Sequence, residues 1–279
     1  MKIAVTGGNG DMGRSLIPYL LEQNHSVVSI DRTLPTSYSS GPYQPGVDFM
    51  VADTMDLGQL IMSMQGCEAI IHLAAIRGPS NHPPQFVYAN NTLSSFNALS
   101  AASALGIKRV CMASSINAIG GVFSRTPRYD YFPVDEQHPT YAEDPYSQSK
   151  WILEQQGDAF ARRFEWMGIA SLRLHMLIDT REQAMEATTH MGEFASRHIW
   201  GYTLLGEANR ACLLSITAGF AGHKVFYTVA PKTAASQPSL ELANQYYPDT
   251  EIRADLSNQE GFFNCASAGQ VLGWHHQEN

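Results

Sequence analysis

The chain has 279 residues, of which 44% are hydrophobic and 16% charged, a composition typical of a globular protein with enough apolar material for a large core. Its 18 Lys and Arg against 26 Asp and Glu leave a net charge of −8, which excludes a general electrostatic attraction to nucleic acid or to an anionic membrane. The N-terminal run MKIAVTGG lacks the pattern of a signal peptide and no apolar run reaches membrane-spanning length, so we expect a soluble, cytoplasmic protein.

Strand-like and helix-like segments alternate along the first part of the chain. The predicted strands are KIAVTG (2–7), HSVVSID (25–31), VDFMVAD (47–53), AIIHLAA (69–75), IKRVCMASS (107–115), ASLRL (170–174) and KVFYTVA (224–230). The predicted helices cover 12–23, 55–65, 86–106 and 146–165, and Pro18 is expected to bend or delay the first of them. This alternation predicts an α/β fold, a doubly wound parallel sheet of the Rossmann type with helices on both faces.

The regular alternation stops in three places, which divides the chain. Residues 121–145, rich in Pro, Tyr, Arg and Asp, predict a long functional loop. The irregular stretches at about 175–204 and 231–279 predict a small substrate-binding lobe over the strand ends. Residues 1–174 together with about 205–230 would then form the dinucleotide-binding domain.

The cysteine and histidine patterns give no sign of a metal. The four Cys lie far apart and form no CxxC pair, and Cys67 and Cys111 adjoin strand-like runs where small buried thiols are expected. Because HExxH and other ligand spacings are also missing from the sequence, we predict no catalytic metal.

The glycine-rich segment TGGNGDMG (6–13) joins the first predicted strand to the first predicted helix. Glycine permits a tight turn and a close approach of the backbone to a pyrophosphate, and the helix N-terminus offers free N–H groups. Asp31 ends the second strand, where a carboxylate can accept both hydroxyls of a ribose. The pattern therefore predicts dinucleotide binding. The loop residues expected to bind it are Gly7, Asn9, Gly10, Asp11, Met12 and Gly13.

The acidic residues near this loop bear on which dinucleotide binds. The Asp31 carboxylate would repel a 2′-phosphate, which favours NAD, although Arg32 or Arg14 could reach such a phosphate and NADP stays possible. The Asp11 side chain is expected to point to solvent. Asp53 ends the third strand, where it could accept the adenine amino group or cap the following helix.

The segment DPYSQSK (144–150) places Tyr146 and Lys150 one turn apart on a helix face, a spacing that also occurs by accident on surface helices. Next to a nicotinamide it has a chemical meaning. A phenol normally has a pKa near ~10, and a neighbouring ammonium favours its ionised form. Ser114 and Ser115 end a strand at the carboxyl edge of the sheet, where such folds bind ligands.

Together, TGGNGDMG, Asp31, HLAA (72–75), Asn91, ASS (113–115) and YSQSK (146–150) resemble the extended short-chain dehydrogenase/reductase family, the NAD-dependent epimerase/dehydratase group, over about residues 1–175. The resemblance implies that Tyr146 is the acid/base, that Lys150 lowers the pKa of its phenol, and that Ser115 orients the substrate while Ser114 faces inward. Asn91 would support the active-site water network, or it could be a helix cap. Leu73, Ala74 and Ala75 would line the cofactor, and the helices at 86–106 and 146–165 would form a homodimer.

Departures from the family pattern concern the substrate side. Ile119–Gly120 replaces the Tyr-Gly pair of the family, and His175–Met176 stands where many members have asparagine or glycine. The short lobe and the run SSINAIGG resemble the uronate dehydrogenase-like branch, whose substrate is small and carries no nucleotide. The candidate substrate residues are Arg77, Ile116, Asn117 and His175, with Arg125, Arg128 and Arg173 as further cations; for each, an ordinary surface or packing role is the alternative.

We therefore expect an NAD-dependent oxidoreductase that interconverts a secondary alcohol and a ketone on a small sugar-like or polyoxygenated molecule. Three alternatives remain. An epimerase or dehydratase would return the hydride to its substrate, and a ketoreductase for aromatic or polyketide substrates would suit the aromatic loop around Tyr129, Tyr131 and Phe132. The third is a non-catalytic dinucleotide-sensing protein.

Overall fold

The computed structural model describes residues 1–35, 45–79 and 82–277, so the last two residues of the predicted lobe lie outside the described part. Seven strands form one sheet. They are β1 (Lys2–Thr6), β2 (Ser26–Asp31), β3 (Val47–Val51), β4 (Ala69–His72), β5 (Arg109–Ser115), β7 (Gly168–Leu174) and β10 (Gly222–Tyr227). Every residue of β4 and β7 is buried, because helices cover both faces of the sheet.

The strand order of the sheet is β3-β2-β1-β4-β5-β7-β10, and every neighbouring pair is parallel. The order reverses between β1 and β4. A parallel sheet opens a crevice at the carboxyl ends of its strands at such a reversal. The predicted doubly wound α/β fold is thereby confirmed.

Helices cover the two faces of this sheet in two groups. The helices are α1 (Asp11–Glu22), α2 (Leu57–Ser63), α3 (Pro84–Leu105), α4 (Pro145–Arg163), α5 (Arg181–Met191), α6 (Leu205–Thr217), α7 (Ser239–Tyr246) and α8 (Ala266–Leu272). α1, α6 and α8 share one apolar core with the sheet, whereas residues of α2, α3 and α4 belong to the core on the opposite face. No helix in the described ranges combines the length and apolarity needed to cross a membrane.

α1 contradicts one expectation from the sequence. Pro18 was expected to bend or delay this helix, and the delay is wrong, because α1 begins at Asp11 and continues to Glu22 with Pro18 inside it. Pro18 lies on the exposed face, while Met12, Leu16 and Leu20 are buried. Packing of the apolar face therefore outweighs the single backbone hydrogen bond that proline cannot donate.

A third hydrophobic core, here called the lobe core, lies beyond the strand ends. It includes Tyr129, Phe132, Trp200, Tyr227 and Phe262. The ring centroids of Phe132 and Phe262 are 4.7 Å apart, so the aromatic residues pack on one another. The predicted loop at 121–145 thus supplies much of this core. Tyr129, Tyr131 and Phe132 are buried in the lobe rather than aligned on a substrate, which corrects the aromatic-loop interpretation.

The short elements of the lobe are two-residue strands and 3-10 turns. They are β6 (Tyr131–Phe132), β8 (Leu177–Ile178), β9 (Thr203–Leu204), β11 (Glu251–Ile252) and the 3-10 helices Ile116–Ile119 and Gly192–His198. The terminal helix α8 packs instead on the sheet, and Trp274 Nε1 donates to the Glu207 carbonyl at 3.2 Å. The division of the chain into two domains stays a prediction. Helix α8 lies in the stretch that the sequence assigns to the lobe, but it packs on the sheet.

Candidate active site

A cavity of about 580 Å³ lies over the carboxyl ends of β1, β2, β4 and β5, where the strand order reverses. It extends from Asp31, past the glycine-rich loop, to the start of α4. Ten of the predicted cofactor residues line it: Gly7, Gly10, Asp11, Met12, Gly13, Asp31, Arg32, Leu73, Ala74 and Ala75. Tyr146 and Lys150 line the same cavity at its other end.

The glycine-rich loop is shaped so that only glycine fits at two positions. Gly7 has a φ of +72°, and a Cβ there would lie 2.8 Å from the Ala74 nitrogen. A Cβ on Gly13 would lie 2.5 Å from the Gly7 carbonyl oxygen. Gly10 caps α1 without a side-chain hydrogen bond, which leaves the first N–H groups of the helix open. The loop therefore presents bare backbone donors to the cavity, as a pyrophosphate requires.

Asp31 is held in place at the end of β2. Its Oδ2 accepts from the Asn9 backbone nitrogen at 2.9 Å and its Oδ1 from the Arg32 nitrogen at 2.7 Å. A carboxylate has about four acceptor positions, so two remain for ribose hydroxyls. The Asn9 side chain donates to the Thr33 carbonyl and does not line the cavity. Asn9 thus acts on the site by fixing Asp31.

Asp11 is exposed and bonded to two arginines on either side of the loop. Arg14 Nη2 and Arg77 Nη1 each lie 2.9 Å from one of its carboxylate oxygens. The hydrogen bond and charge of Arg77, followed by those of Arg14, lower the pKa of Asp11. Arg14, one of the two candidates for binding a 2′-phosphate, is therefore engaged with Asp11.

The structure shows Asp53 in neither of its two predicted roles, contact with the adenine amino group or capping of α2. It does not line the cavity, whose wall here consists of Ala52 and Thr54. It does not cap α2 either, because the Asp56 side chain accepts the hydrogen bond from the Gln59 nitrogen. Asp53 Oδ1 accepts instead from the Met55 nitrogen at 2.9 Å, a turn that starts the connection before α2.

Tyr146 and Ser115 meet at the substrate end of the cavity. Asp144 Oδ1 accepts from the backbone nitrogens of Tyr146 and Ser147, which starts α4 at Pro145. Ser115 Oγ accepts from the Asn117 nitrogen at 3.1 Å and from Asn117 Nδ2 at 3.3 Å. Its own hydrogen is left to donate to the Tyr146 phenol oxygen, a hydrogen bond that lowers the pKa of the phenol. Asn117, predicted as a substrate residue, thus orients Ser115.

The electrostatics of this pair differ from the expectation. Burial raises the pKa of Tyr146 and outweighs the hydrogen bond from Ser115. Lys150 Nζ donates to the Ala113 carbonyl at 2.6 Å and lies 5.7 Å from the centre of the Tyr146 ring. Burial lowers the pKa of Lys150 to about 8, and the Glu154 charge opposes that shift. The predicted lowering of the phenol pKa by Lys150 is therefore wrong for the protein chain alone, whose phenol keeps its proton at neutral pH.

Ser114 faces inward, as expected, and belongs to a buried ion pair below the site. Ser114 Oγ donates to Glu154 Oε1 at 2.7 Å. Arg173 Nε and Nη2 donate to the two oxygens of the same carboxylate at 3.0 and 2.8 Å. Arg173 is 4% exposed and does not line the cavity, so its cation neutralises Glu154 and is not available to a substrate.

Asn91 lies in the middle of α3, so it is not a helix cap. Its Oδ1 accepts from the Ile76 nitrogen at 2.8 Å, and its Nδ2 donates to the Ile76 carbonyl at 3.0 Å and to Ser149 Oγ at 3.2 Å. Ser149 Oγ in turn donates to the Tyr146 carbonyl at 2.7 Å. Asn91 does not line the cavity; it connects the segment after β4 to the first turn of α4.

Arg77, Ile116 and His175 line the cavity, but the polar ones have partners, whereas Arg125 and Arg128, the other predicted cations, are not among its lining residues. Arg77 pairs with Asp11, and Ile116 is an apolar wall residue. His175 Nε2 donates to the His198 carbonyl at 2.9 Å, and its Nδ1 accepts from the Met176 nitrogen at 2.6 Å. Burial lowers the pKa of His175 to about 3, so this imidazole is neutral and packed.

Other wall residues carry no motif that the sequence could reveal. Phe123, Met176, Leu177, Met191 and His198 come from three separate segments of the lobe and line the cavity. The Phe123 and Tyr146 rings meet edge to face with centroids 5.8 Å apart. Only the fold brings these residues together, so no local spacing could predict them. Across the described ranges, no group of three His, Cys, Asp or Glu side chains is arranged to hold a metal ion.

A Ser–His–Asp constellation lies outside the cavity. His223 Nε2 is 2.9 Å from Ser171 Oγ, and His223 Nδ1 is 2.8 Å from Asp158 Oδ1. These contacts resemble those of a hydrolase triad, but the Ser171 side chain is fully buried in β7 and does not border the cavity. The three residues connect α4, β7 and the edge strand β10.

Comparisons with known proteins agree with this geometry. The sequence model of the NAD dependent epimerase/dehydratase family matches residues 3–199. The chain is 28% identical over 181 residues to dTDP-6-deoxy-L-talose 4-dehydrogenase (NAD(+)) of Aggregatibacter actinomycetemcomitans, a match covering 63% of this chain and 62% of that protein. It is 29% identical over 170 residues to UDP-glucose 4-epimerase of Mus musculus, covering 55% and 47%.

A solved structure of a mutated uronate dehydrogenase superposes with a TM-score of 0.69 at 21% identity, covering 100% of this chain and 82% of that one. At 21% identity this similarity shows a shared fold and nothing about the substrate. The chain spans about half the length of the curated relatives it matches.

Proposed function

The chain belongs to the NAD-dependent epimerase/dehydratase family, as its motifs predicted, and from this premise we propose that it is an oxidoreductase that uses NAD to interconvert a secondary alcohol and a ketone. The observation that carries this proposal is the convergence of Ser115, Tyr146 and Lys150 at one end of a cavity whose other end is the glycine-rich loop. The substrate would be a small molecule without a nucleotide, because the cavity of about 580 Å³ must hold the cofactor as well.

The residues lining the cavity fit NAD. The open N–H groups at the start of α1 suit the pyrophosphate, and the close contact of Gly7 with Ala74 leaves the loop without side chains that would obstruct it. Asp31 keeps free acceptor positions for the adenosine ribose, and its charge disfavours the phosphate of NADP. When bound, NADH would supply a hydride to the carbonyl carbon of a ketone, and the oxygen would take a proton from the protein as the C=O π bond is lost.

Tyr146 would supply that proton. Its phenol is buried and protonated at neutral pH, so it can donate to the carbonyl oxygen as negative charge develops there. Ser115, oriented by Asn117, would hold the same oxygen. Lys150, which is protonated below about pH 8, would stabilise the phenolate that forms. In the reverse direction the phenolate removes the hydroxyl proton of the alcohol.

The proposal includes a homodimer formed through α3 and α4. Phe86, Leu93 and Phe96 lie within one arc of α3 and are 40 to 46% exposed, and Trp151 of α4 is 36% exposed. Contiguous exposed apolar side chains of this size favour burial against another protein surface. A second copy of the chain is the partner proposed for this face.

The test measures the NADH absorbance while the protein is incubated with a panel of ketones. Net loss of NADH that disappears in Tyr146→Phe, but persists in the exposed control Tyr88→Phe, supports the proposal. Because removing a positioned proton donor costs roughly 10²- to 10⁴-fold in rate, Tyr146→Phe is expected to lose at least about 100-fold. Product formation without any change in NADH would indicate a closed redox cycle, as in an epimerase, and would contradict it. Normal turnover by Tyr146→Phe would refute the assigned roles.

A further inference from the structure

We propose that Thr54 recognises the adenine base of NAD by donating its hydroxyl hydrogen to a ring nitrogen of the base. Three buried side chains below it, Thr6, His72 and Ser94, here called the His72 network, fix the direction of this hydrogen bond. The inference concerns recognition of the cofactor, so it does not depend on which reaction follows. It replaces the contact with the adenine amino group that the sequence suggested for Asp53.

Thr54 lies at the end of the cavity where the adenosine is expected. Asp31 ends β2 and keeps acceptor positions for the adenosine ribose. The neighbouring strand β3 runs parallel to β2, and Ala52 and Thr54, which follow β3, line the cavity together with Ile30 and Asp31. The base of a dinucleotide whose ribose is held by Asp31 therefore meets this wall. Thr54 is half-buried, whereas Ala52 is buried.

Contacts with α3 and with the following turn hold Thr54 in place. Asn97 Nδ2 donates to the Thr54 carbonyl at 3.1 Å, and the hydroxyl oxygens of Ser94 and Thr54 are 2.9 Å apart. Asp53 Oδ1 closes the turn by accepting from the Met55 nitrogen at 2.9 Å. Both the backbone and the side chain of Thr54 are thus fixed before a ligand binds, which reduces the entropy lost on binding.

The direction of the hydrogen bond between Ser94 and Thr54 follows from accounting for the buried hydrogens. Thr6 Oγ1 accepts from the Ala74 nitrogen at 3.3 Å and lies 2.8 Å from His72 Nδ1. Thr6 is inaccessible, and within the described ranges His72 Nδ1 is the acceptor for its hydroxyl hydrogen. A buried hydroxyl hydrogen without an acceptor is costly, so Thr6 donates and Nδ1 carries no proton of its own.

His72 passes this direction on to Ser94. Burial, together with the charge of Lys150, lowers the pKa of His72 to about 3, so the imidazole is neutral and carries one proton. Because Nδ1 accepts, that proton is on Nε2, which lies 3.4 Å from Ser94 Oγ and donates to it. The Ser94 hydrogen then goes to Thr54 Oγ1. The Thr54 hydrogen has no acceptor among the described residues, and it is available to a ligand in the cavity.

A hydroxyl donor at this position selects an acceptor on the base. Adenine presents ring nitrogens as acceptors and its amino group as a donor. Asp53, the acceptor that was expected to contact the amino group, does not line the cavity, and its Oδ1 is bonded to the Met55 nitrogen. A ring nitrogen is therefore the atom of adenine that complements the hydrogen of Thr54.

The first test measures the binding of NADH by fluorescence and of ADP-ribose, which contains the adenosine but no nicotinamide, by calorimetry. Thr54→Val keeps the branched shape and removes the hydroxyl, so both ligands should bind about 5- to 15-fold more weakly. Thr54→Ser keeps the hydroxyl and should stay within about threefold of the parent. Thr189→Val, the same replacement at an exposed position of α5, is the matched control and should leave both affinities unchanged.

The second test determines the direction of the His72 network in the ligand-free parent protein. Nitrogen NMR spectra of histidine-labelled protein distinguish the two neutral tautomers of an imidazole, and the His72 signals are identified as those that shift in Ser94→Ala. We expect His72 to carry its proton on Nε2 at neutral pH. This measurement needs neither a bound cofactor nor turnover.

Each outcome supports or overturns the inference. Weaker binding of both ligands by Thr54→Val, its recovery in Thr54→Ser and a proton on His72 Nε2 support it. Parent-like binding by Thr54→Val, a loss for NADH alone, or a Thr54→Ser variant as weak as Thr54→Val would overturn it. A proton on His72 Nδ1 would reverse the network and also overturn it. A protein that shows the expected binding but reduces no ketone would refute the proposed reaction and leave the role of Thr54 standing.

Discussion

Replacing Glu154 by glutamine should destabilise the protein strongly, because it leaves the buried Arg173 cation without its counter-charge. Both side chains are nearly inaccessible, at 5% and 4% exposure, and they are joined by two hydrogen bonds of 3.0 and 2.8 Å. Removing one member of a buried pair costs about 3–5 kcal/mol, since the remaining charge keeps its desolvation penalty. Arg173 keeps the glutamine carbonyl oxygen as one acceptor, its bond to the Tyr227 hydroxyl at 3.1 Å and its position 5.0 Å above that ring, but it loses its only buried counter-charge among these contacts.

The assay is the free energy of unfolding in guanidinium chloride at pH 7 for the parent, Glu154→Gln and the double variant Glu154→Leu/Arg173→Met. The single variant should lose about 3–5 kcal/mol, whereas the double variant should recover most of it, because apolar residues can replace a buried pair at little net cost. A single variant within about 1 kcal/mol of the parent, or a double variant as unstable as the single one, would refute the reasoning.

The same substitution has a second consequence at Lys150. The Glu154 charge opposes the lowering of the pKa of Lys150, so its removal should move that pKa further below about 8. The upper limb of the pH–rate profile should then shift to lower pH in both variants, including the double variant whose stability is restored. An unshifted profile in both would show that Lys150 does not sense Glu154.

Three further predictions follow from individual contacts. Burial lowers the pKa of Lys150 to about 8, whereas the unfolded chain has the ordinary lysine value of about 10.5, so the unfolded chain binds more protons between these values. The free energy of unfolding should therefore rise by roughly 2 kcal/mol from pH 8 to pH 10 in the parent, and Lys150→Met should lack this rise in denaturant titrations. Asn91→Leu removes the hydrogen bonds to Ile76 and Ser149. Turnover should fall about tenfold or more, while the NADH affinity measured by fluorescence should change little. An equal loss of turnover and NADH affinity would assign Asn91 a purely structural role. Phe96→Glu places a charge on the exposed face of α3 and should convert a dimer to monomers in analytical ultracentrifugation. The control variant Tyr88→Phe should sediment like the parent. An unaltered sedimentation profile of Phe96→Glu would exclude this face as the interface.

The fold was predictable because its signals are local and occur in a required order. Glycines that alone fit the turn at Gly7 and Gly13, an acid at the end of β2, and apolar runs buried on both faces can all be read from short segments. The inward orientation of Ser114 was implied by the family resemblance, and its bond to Glu154 agrees with it. These elements depend little on distant parts of the chain.

The missed features depend on distance in space rather than spacing in sequence. Asp56, not Asp53, caps α2, since a shift of three residues in the start of a short helix changes which acid reaches its N–H groups. The raised pKa of Tyr146 reflects burial, which is a property of the folded site and outweighs a favourable neighbour four residues away. His198 and Met191 reach the cavity only after the lobe has packed over the strand ends.

The wall facing Tyr146 has a consequence for how such enzymes diversify. Phe123 and Met191 are partly buried against the lobe core, and Met176 packs against a smaller cluster that includes Tyr202. The Phe123 ring also contacts the Tyr146 ring. A replacement at any of these positions therefore changes the pocket wall and the packing of the lobe together, so a change in what the pocket accepts would be coupled to a change in the stability of the lobe.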